Sequence, residues 1–113
     1  MGPNLYLVLS KPPDDVSPEE YDGWYDLHVR EIVVSPGFLG ARRFALEPSS
    51  DEPVPYSRLA VYEYEGELGR WSADLTRRIE SGEVVLPEFH PRTRFSGWSA
   101  RPLGDRVEPA RSA

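Results

Sequence analysis

Cysteine is absent from the 113-residue chain, which excludes disulfides, thiolate-bound metals and cysteine nucleophiles. Lysine is nearly absent. Of 13 basic residues only Lys11 is a lysine, and its place beside Pro12-Pro13 suits no Schiff-base mechanism. No apolar run approaches the roughly 20 residues that a membrane span needs. The opening MGPNLYLVLSK lacks the basic start and long apolar centre of a signal peptide, and Tyr6 stands where myristoylation wants Ser or Thr. Nineteen acidic residues give a net charge of −6, so nucleic acid is not an expected partner. The patterns GxGxxG, GxSxG, HExxH and the P-loop are missing, which argues against nucleotide cofactors and serine hydrolysis. The lack of disulfides fits a cytoplasmic protein, and that is the expected location.

What the chain does have is an alternation of strands and helices. Asn4–Ser10 (NLYLVLS) reads as a buried strand ended by Pro12-Pro13. Ser17-Pro18-Glu19-Glu20 is a helix start, with Ser17 as N-cap and Glu20 as its capping-box partner. That helix runs to about Val34, where Ser35-Pro36-Gly37 stops it. Phe38–Leu46 follows as a strand; strict alternation puts Phe38, Gly40, Arg42 and Phe44 on one face and Ala41 and Arg43 on the other. After the polar loop 48–55 comes a strand, Tyr56–Glu65, with Ala60, Tyr62 and Tyr64 on one side. A second helix spans about 66–81, its apolar stripe made by Leu68, Trp71, Ser72, Leu75 and Ile79, and Gly82 reads as its C′ residue. Arg92–Ala100 is the fourth strand. Residues 1–103 are expected to form one domain and 104–113 a flexible tail.

The order β-α-β-β-α-β predicts an α+β, ferredoxin-like fold: an antiparallel sheet with two helices on one face. The other face is left bare, so a homodimer is expected, packed sheet to sheet.

Glu20-Tyr21-Asp22-Gly23-Trp24-Tyr25-Asp26-Leu27-His28-Val29, then Pro36-Gly37-Phe38 and Ala41-Arg42-Arg43-Phe44, resembles the EthD-like branch of the dimeric α+β barrel superfamily. The resemblance is local to about residues 19–44; the element order extends it more weakly over most of the chain. It implies a homodimer in which each monomer keeps a cleft between its helices and its own sheet. It also implies a functional histidine at position 28, as in some relatives. The superfamily includes cofactor-free cyclases, dehydratases and isomerases, metal-independent monooxygenases and haem-handling proteins, so it names no single reaction.

Tyr21, Trp24 or Tyr25, and His28 are spaced i, i+3/4, i+7 and form one helical stripe. Burial among aromatics favours a neutral imidazole, which can act as a general base; the alternative is a core histidine held by one hydrogen bond. Tyr25 and Tyr62 are the phenols expected in the pocket, able to donate to a developing enolate oxygen. Tyr21 and Trp24 are expected to touch ligand as well. Arg42 or Arg43 could bind a carboxylate, Arg42 being the one placed in the site, and a salt bridge to Asp or Glu in the dimer is the expectation for at least one of them. His90 and Phe89, in the apolar loop 83–91, are assigned to a lid over the cleft. Trp71 and Trp98 are read as packing, Trp98 lining the barrel. Two histidines without HxH or HxxxH spacing predict no metal, and no cofactor is expected.

The leading expectation is a cofactor-free lyase, cyclase or isomerase acting on a small apolar or aromatic, polyketide-like carbonyl compound, with catalytic His28, Tyr25 and Tyr62. A non-catalytic binding or accessory protein is the first alternative. A cofactor-free monooxygenase or haem-handling protein is the second.

Overall fold

Ser17 accepts a hydrogen bond from the Glu20 amide at 3.1 Å, and Pro18 fills the first helical position, where no N–H is needed. These start α1 (Pro18–Ile32). The helix ends at Ile32, two residues earlier than expected, with Val33 as its C-cap, because Ser35 N–H turns back to the Ile32 carbonyl. Gly37 then adopts φ 101°. A side chain there would be strained and would press on the Glu65 carbonyl, whose own amide bonds Gly37 O at 2.8 Å. This contact ties the α1 exit to the end of a strand.

The computed structural model describes residues 3–51 and 55–110. Its remaining elements are β1 (Asn4–Lys11), β2 (Phe38–Ala45), β3 (Arg58–Tyr64), α2 (Leu68–Glu80), a 3₁₀ turn (His90–Arg92) and β4 (Arg94–Ala100). The sheet order is β2-β3-β1-β4, with each neighbouring pair antiparallel. This is the ferredoxin-like α+β fold that the element order predicts. Part of the loop 48–55, the end of the tail and the Leu68 side chain lie outside the described residues. From Arg101 to Ala110 the chain carries no helix or strand.

Both helices pack on one face. The core joins Tyr21, Tyr25 and Ile32 of α1 to Ala60 and Tyr62 of β3, with Val16 and Phe89 at the end and Tyr6, Phe38, Leu75 and Phe95 around them. Aromatic pairs of this kind add about 0.5–1.5 kcal/mol each beyond simple burial. The opposite face presents Leu7, Val61 and Trp98, aligned by strand register. Trp98 is 61 % exposed and Phe44 is exposed beside them.

The strict alternation expected for β2 fails. Phe38 pairs with Tyr64, but Gly40 pairs with Glu63, so Leu39 is inserted as a bulge. One extra residue resets the pleat. Phe38 still faces the helices, yet downstream of the bulge it is Arg43, opposite Ala60, that shares this face. Arg42, opposite Val61, points to the bare side.

Arg43 therefore meets α1. It donates to Asp22 at 2.6 Å and to Asp26 at 2.8 Å, and its guanidinium lies 4.6 Å from the Tyr25 ring centre. Arg58 binds both Asp22 oxygens, at 2.9 and 3.0 Å. The expected salt bridge is thus made inside the chain. On α2, Arg78 is buried, held by Glu83 at 2.6 Å and Ser35 at 3.0 Å. It joins the ends of both helices.

Asp22 is shared by two half-buried arginines, while Asp26 is 65 % exposed. Asp22→Ala should therefore cost about 1–3 kcal/mol by leaving Arg58 without a carboxylate and Arg43 with Asp26 alone. Asp26→Ala should cost less than about 1 kcal/mol. Urea unfolding of the two variants checks the order; equal losses would contradict the shared-carboxylate account.

Candidate active site

The α1 stripe reaches a cavity between both helices and the sheet. Its volume is about 330 Å³, at the lower end of the range of about 300–1,000 Å³ for small-molecule sites. Tyr25 and His28 enter it from α1, Tyr6 from β1, Tyr62 from β3, Trp71 and Leu75 from α2. Phe95 and Gly97 of β4 and His90 of the 3₁₀ turn complete one side. The walls are mostly apolar, with a few polar groups among them.

His28 is 8 % exposed. Trp24 stacks on its ring at 4.9 Å and 23°, and Tyr25 meets it edge-on at 5.9 Å. Nδ1 is buried without a hydrogen-bond partner, and the ring lines the cavity. The Glu31 carboxylate, one turn along the helix, is 3.8 Å from Nδ1, beyond hydrogen-bonding range. Burial lowers the His28 pKa to about 4, and His90 adds a smaller push in the same direction. The ring is uncharged at neutral pH, so no ion pair with Glu31 forms there. Burial also depresses His90, which packs on Phe95 at 5.1 Å.

Tyr62 is 1 % exposed; its hydroxyl makes no hydrogen bond of ordinary length and angle, but it lies close enough to the Tyr25 hydroxyl for the two to interact. Burial raises its pKa, and the neighbouring Tyr25 hydroxyl raises it further. Burial raises Tyr25 as well. Both phenols stay protonated and can act as donors. The indole N–H groups of Trp24 and Trp71 are likewise buried and unpartnered.

The structure thus brings together His28, Tyr25, Tyr62 and His90 of the residues singled out by sequence. It separates four others. Tyr21 lies on the stripe but is fully buried, and its hydroxyl donates to Ser10 at 2.7 Å; it is a core residue with its polar group satisfied. Trp24 stands behind His28 and does not line the cavity. Phe89 is buried between Tyr21 and Trp24, at 6.1 and 5.5 Å. Arg42 is on the far face of the sheet, for the reason given by the bulge. The segment 83–91 is also anchored: Val84 and Phe89 are buried, Glu83 holds Arg78, and Arg92 binds Asp15 at 2.6 Å. His90, at its end, lines the cavity, the position that a lid over the cleft requires. Trp71, read as packing, lines the cavity; helical spacing marked its face but could not show that the face opens onto empty space. Tyr6 and Gly97 carried no recognisable signal beyond strand parity.

Among the described residues no group of three or more His, Asp or Glu is placed to hold a metal ion, and no helix is long and apolar enough to cross a membrane.

No protein-family model matches the chain, and no curated protein does. Solved structures do share its fold. The At3g17210 protein of Arabidopsis thaliana superposes with a TM-score of 0.68 at 12 % identity, covering 93 % of this chain and 100 % of its own. A "putative monooxygenase" from Shewanella loihica PV-4 superposes with a TM-score of 0.58 at 20 % identity, covering 93 % and 99 %. At these identities the likeness establishes the α+β fold and not a shared activity.

The buried imidazole makes stability depend on pH. The unfolded chain takes up the His28 proton near 6.5, the folded chain only near 4. The stability this difference represents is complete above pH 6.5 and is lost as pH falls toward 4, by up to about 3 kcal/mol. His90 acts with the same sign. Asp22, held low chiefly by its hydrogen bonds from Arg58, acts only below its ordinary value of 3.8. The urea midpoint should therefore drop between pH 7 and 4.5, and His28→Gln should flatten that drop. A wild-type midpoint constant over this range would contradict the burial of a neutral ring.

Proposed function

We propose that the chain is a cofactor-independent enzyme that moves a proton at the carbon beside a carbonyl group, giving lyase, cyclase or isomerase chemistry on a small apolar or aromatic compound. The observation that supports this reading is a neutral, buried His28 set on the same apolar cavity as Tyr62, whose protonated hydroxyl lies beside that of Tyr25. The imidazole takes the proton as the C–H bond breaks, and the electron pair moves onto the carbonyl oxygen. Tyr62, with Tyr25 beside it, donates to that oxygen. The proton returns from His28 when the enolate collapses to product.

A pKa near 4 makes the resting imidazole a weak base. Its proton affinity rises as the enolate forms, because an imidazolium beside an oxyanion in a low-dielectric cavity is stabilised by direct attraction. The placement of Trp24 keeps the ring in one orientation for this transfer.

A second reading is supported by the description of the Shewanella structure. A carbanion formed in the same way could react with dioxygen, which would make the chain a cofactor-independent monooxygenase. An oxygen electrode separates the two: oxygen uptake coupled to substrate loss favours this second reading.

The assembly belongs to the same proposal. The apolar face of Leu7, Val61, Phe44 and Trp98 supports a homodimer packed sheet to sheet, as in the EthD-like branch of the dimeric α+β barrels. Sedimentation at micromolar concentration should give twice the chain mass; a species near 13 kDa would remove the dimer.

Exchange of the acidic protons of 2-tetralone in D₂O, followed by NMR, tests the proton transfer directly. The wild-type chain should accelerate it, and His28→Ala should lower the rate by about 10² or more. His28→Gln should still bind the ketone but exchange it poorly. A Gln variant with full activity would make His28 a positioning residue and favour a non-catalytic binding or accessory role.

A further inference from the structure

Gly97 has no backbone reason to be glycine. The glycines with positive φ are Gly37, Gly66 and Gly82, and Gly97 sits within β4, opposite Val8. Glycine in a strand interior costs stability and often marks a close approach by another group. Here the group is Tyr6. A Cβ built at position 97 would lie 2.9 Å from the Tyr6 Cζ and closer still to its hydroxyl oxygen. No other glycine among the described residues would collide with a side chain.

Both residues line the cavity. Tyr6 lies with its hydroxyl end over Gly97 and its ring edge-on to Trp71 of α2, at 5.0 Å, and 6.5 Å from Tyr62. The ring therefore bridges from the sheet to the second helix and forms an end wall. A Cβ on this face points from the sheet toward the helices, so a side chain at position 97 cannot coexist with the Tyr6 ring where it lies.

We propose that Gly97 and Tyr6 act as a pair that sets ligand size: the bare backbone at 97 lets the Tyr6 ring lie back, and the ring then limits the site to small planar compounds of one or two rings. This rests on the reading of the cavity as a site for aromatic carbonyl compounds, and it makes Tyr6 a specificity-determining residue of that site. It requires nothing of His28, so loss of proton transfer leaves it untouched.

Calorimetric titration of the full chain with phenol, 2-naphthol and 9-phenanthrol tests it. Gly97→Ala should weaken 2-naphthol about tenfold and leave phenol within about threefold, because the displaced ring removes space for the second ring only. Tyr6→Leu should strengthen 9-phenanthrol about tenfold by removing the wall. Gly97→Ala/Tyr6→Leu should match Tyr6→Leu, since the added methyl then has nothing to strike. Should Gly97→Ala fail to fold, the Tyr6→Leu arm decides alone. Equal losses for phenol and 2-naphthol, a double variant that is not rescued, or a Tyr6→Leu chain no better for three rings each overturn the pairing. A wild-type chain that binds none of the three compounds overturns it together with the ligand-site reading. A chain that binds with the expected size order but fails to exchange 2-tetralone overturns the proton-transfer reading alone.

Discussion

The Asp22 carboxylate holds α1 to the sheet. Arg43 from β2 and Arg58 from β3 converge on it, and both strands are fixed by their ladder to each other. A helix is a rigid rod on this scale, so pinning one side of α1 sets the rotation of the whole element. Tyr25 and His28 project from the neighbouring stripe and are aimed at the cavity as a consequence. The guanidinium of Arg43 then covers the Tyr25 ring, linking the polar clamp to the first aromatic residue of the site. The β2 bulge belongs to this arrangement, since without the extra residue at Leu39 the arginine would leave the sheet on the other side.

Four buried polar atoms in and beside the cavity lack partners: Nε1 of Trp24 and Trp71, Nδ1 of His28 and the Tyr62 hydroxyl. Each such group costs about 1–3 kcal/mol when sealed from water without a hydrogen bond. Other buried polar side chains among the described residues find partners. Tyr21 reaches Ser10 and Arg78 reaches Glu83 and Ser35. Unmet polar capacity beside one apolar cavity supports the proposal of a ligand site there. Leucine at these positions would pack without that cost, and the sequence uses aromatics and histidine instead.

Much of this was legible in the chain itself. The spacing of Tyr25 and His28 and the parity of Tyr62 within its strand gave three residues of the site, because both periodicities survive folding unchanged. Tyr21 shares the same helical face, yet its hydroxyl finds Ser10, a pairing across eleven residues that no periodicity encodes. Arg42 and Arg43 exchanged roles because a bulge shifts parity by one and leaves no mark in local composition. Tyr6, Trp71 and Gly97 were invisible for a different reason. A pattern can say which face of an element is covered, but whether that face meets another side chain or a cavity depends on how three elements pack. The segment 83–91 reads as a lid from its composition, and two of its apolar residues, Val84 and Phe89, are buried.

The central claim is that α1 carries His28 into the interior as an uncharged ring on the wall of the cavity. Titration of the histidine ring protons by NMR tests this most directly in the ligand-free protein. The account predicts that the His28 resonances stay in their neutral position down to about pH 5 and shift with a pKa near 4. A His28 pKa at or above the ordinary 6.5 would show a solvated or ion-paired ring, and the neutral-base site would not stand.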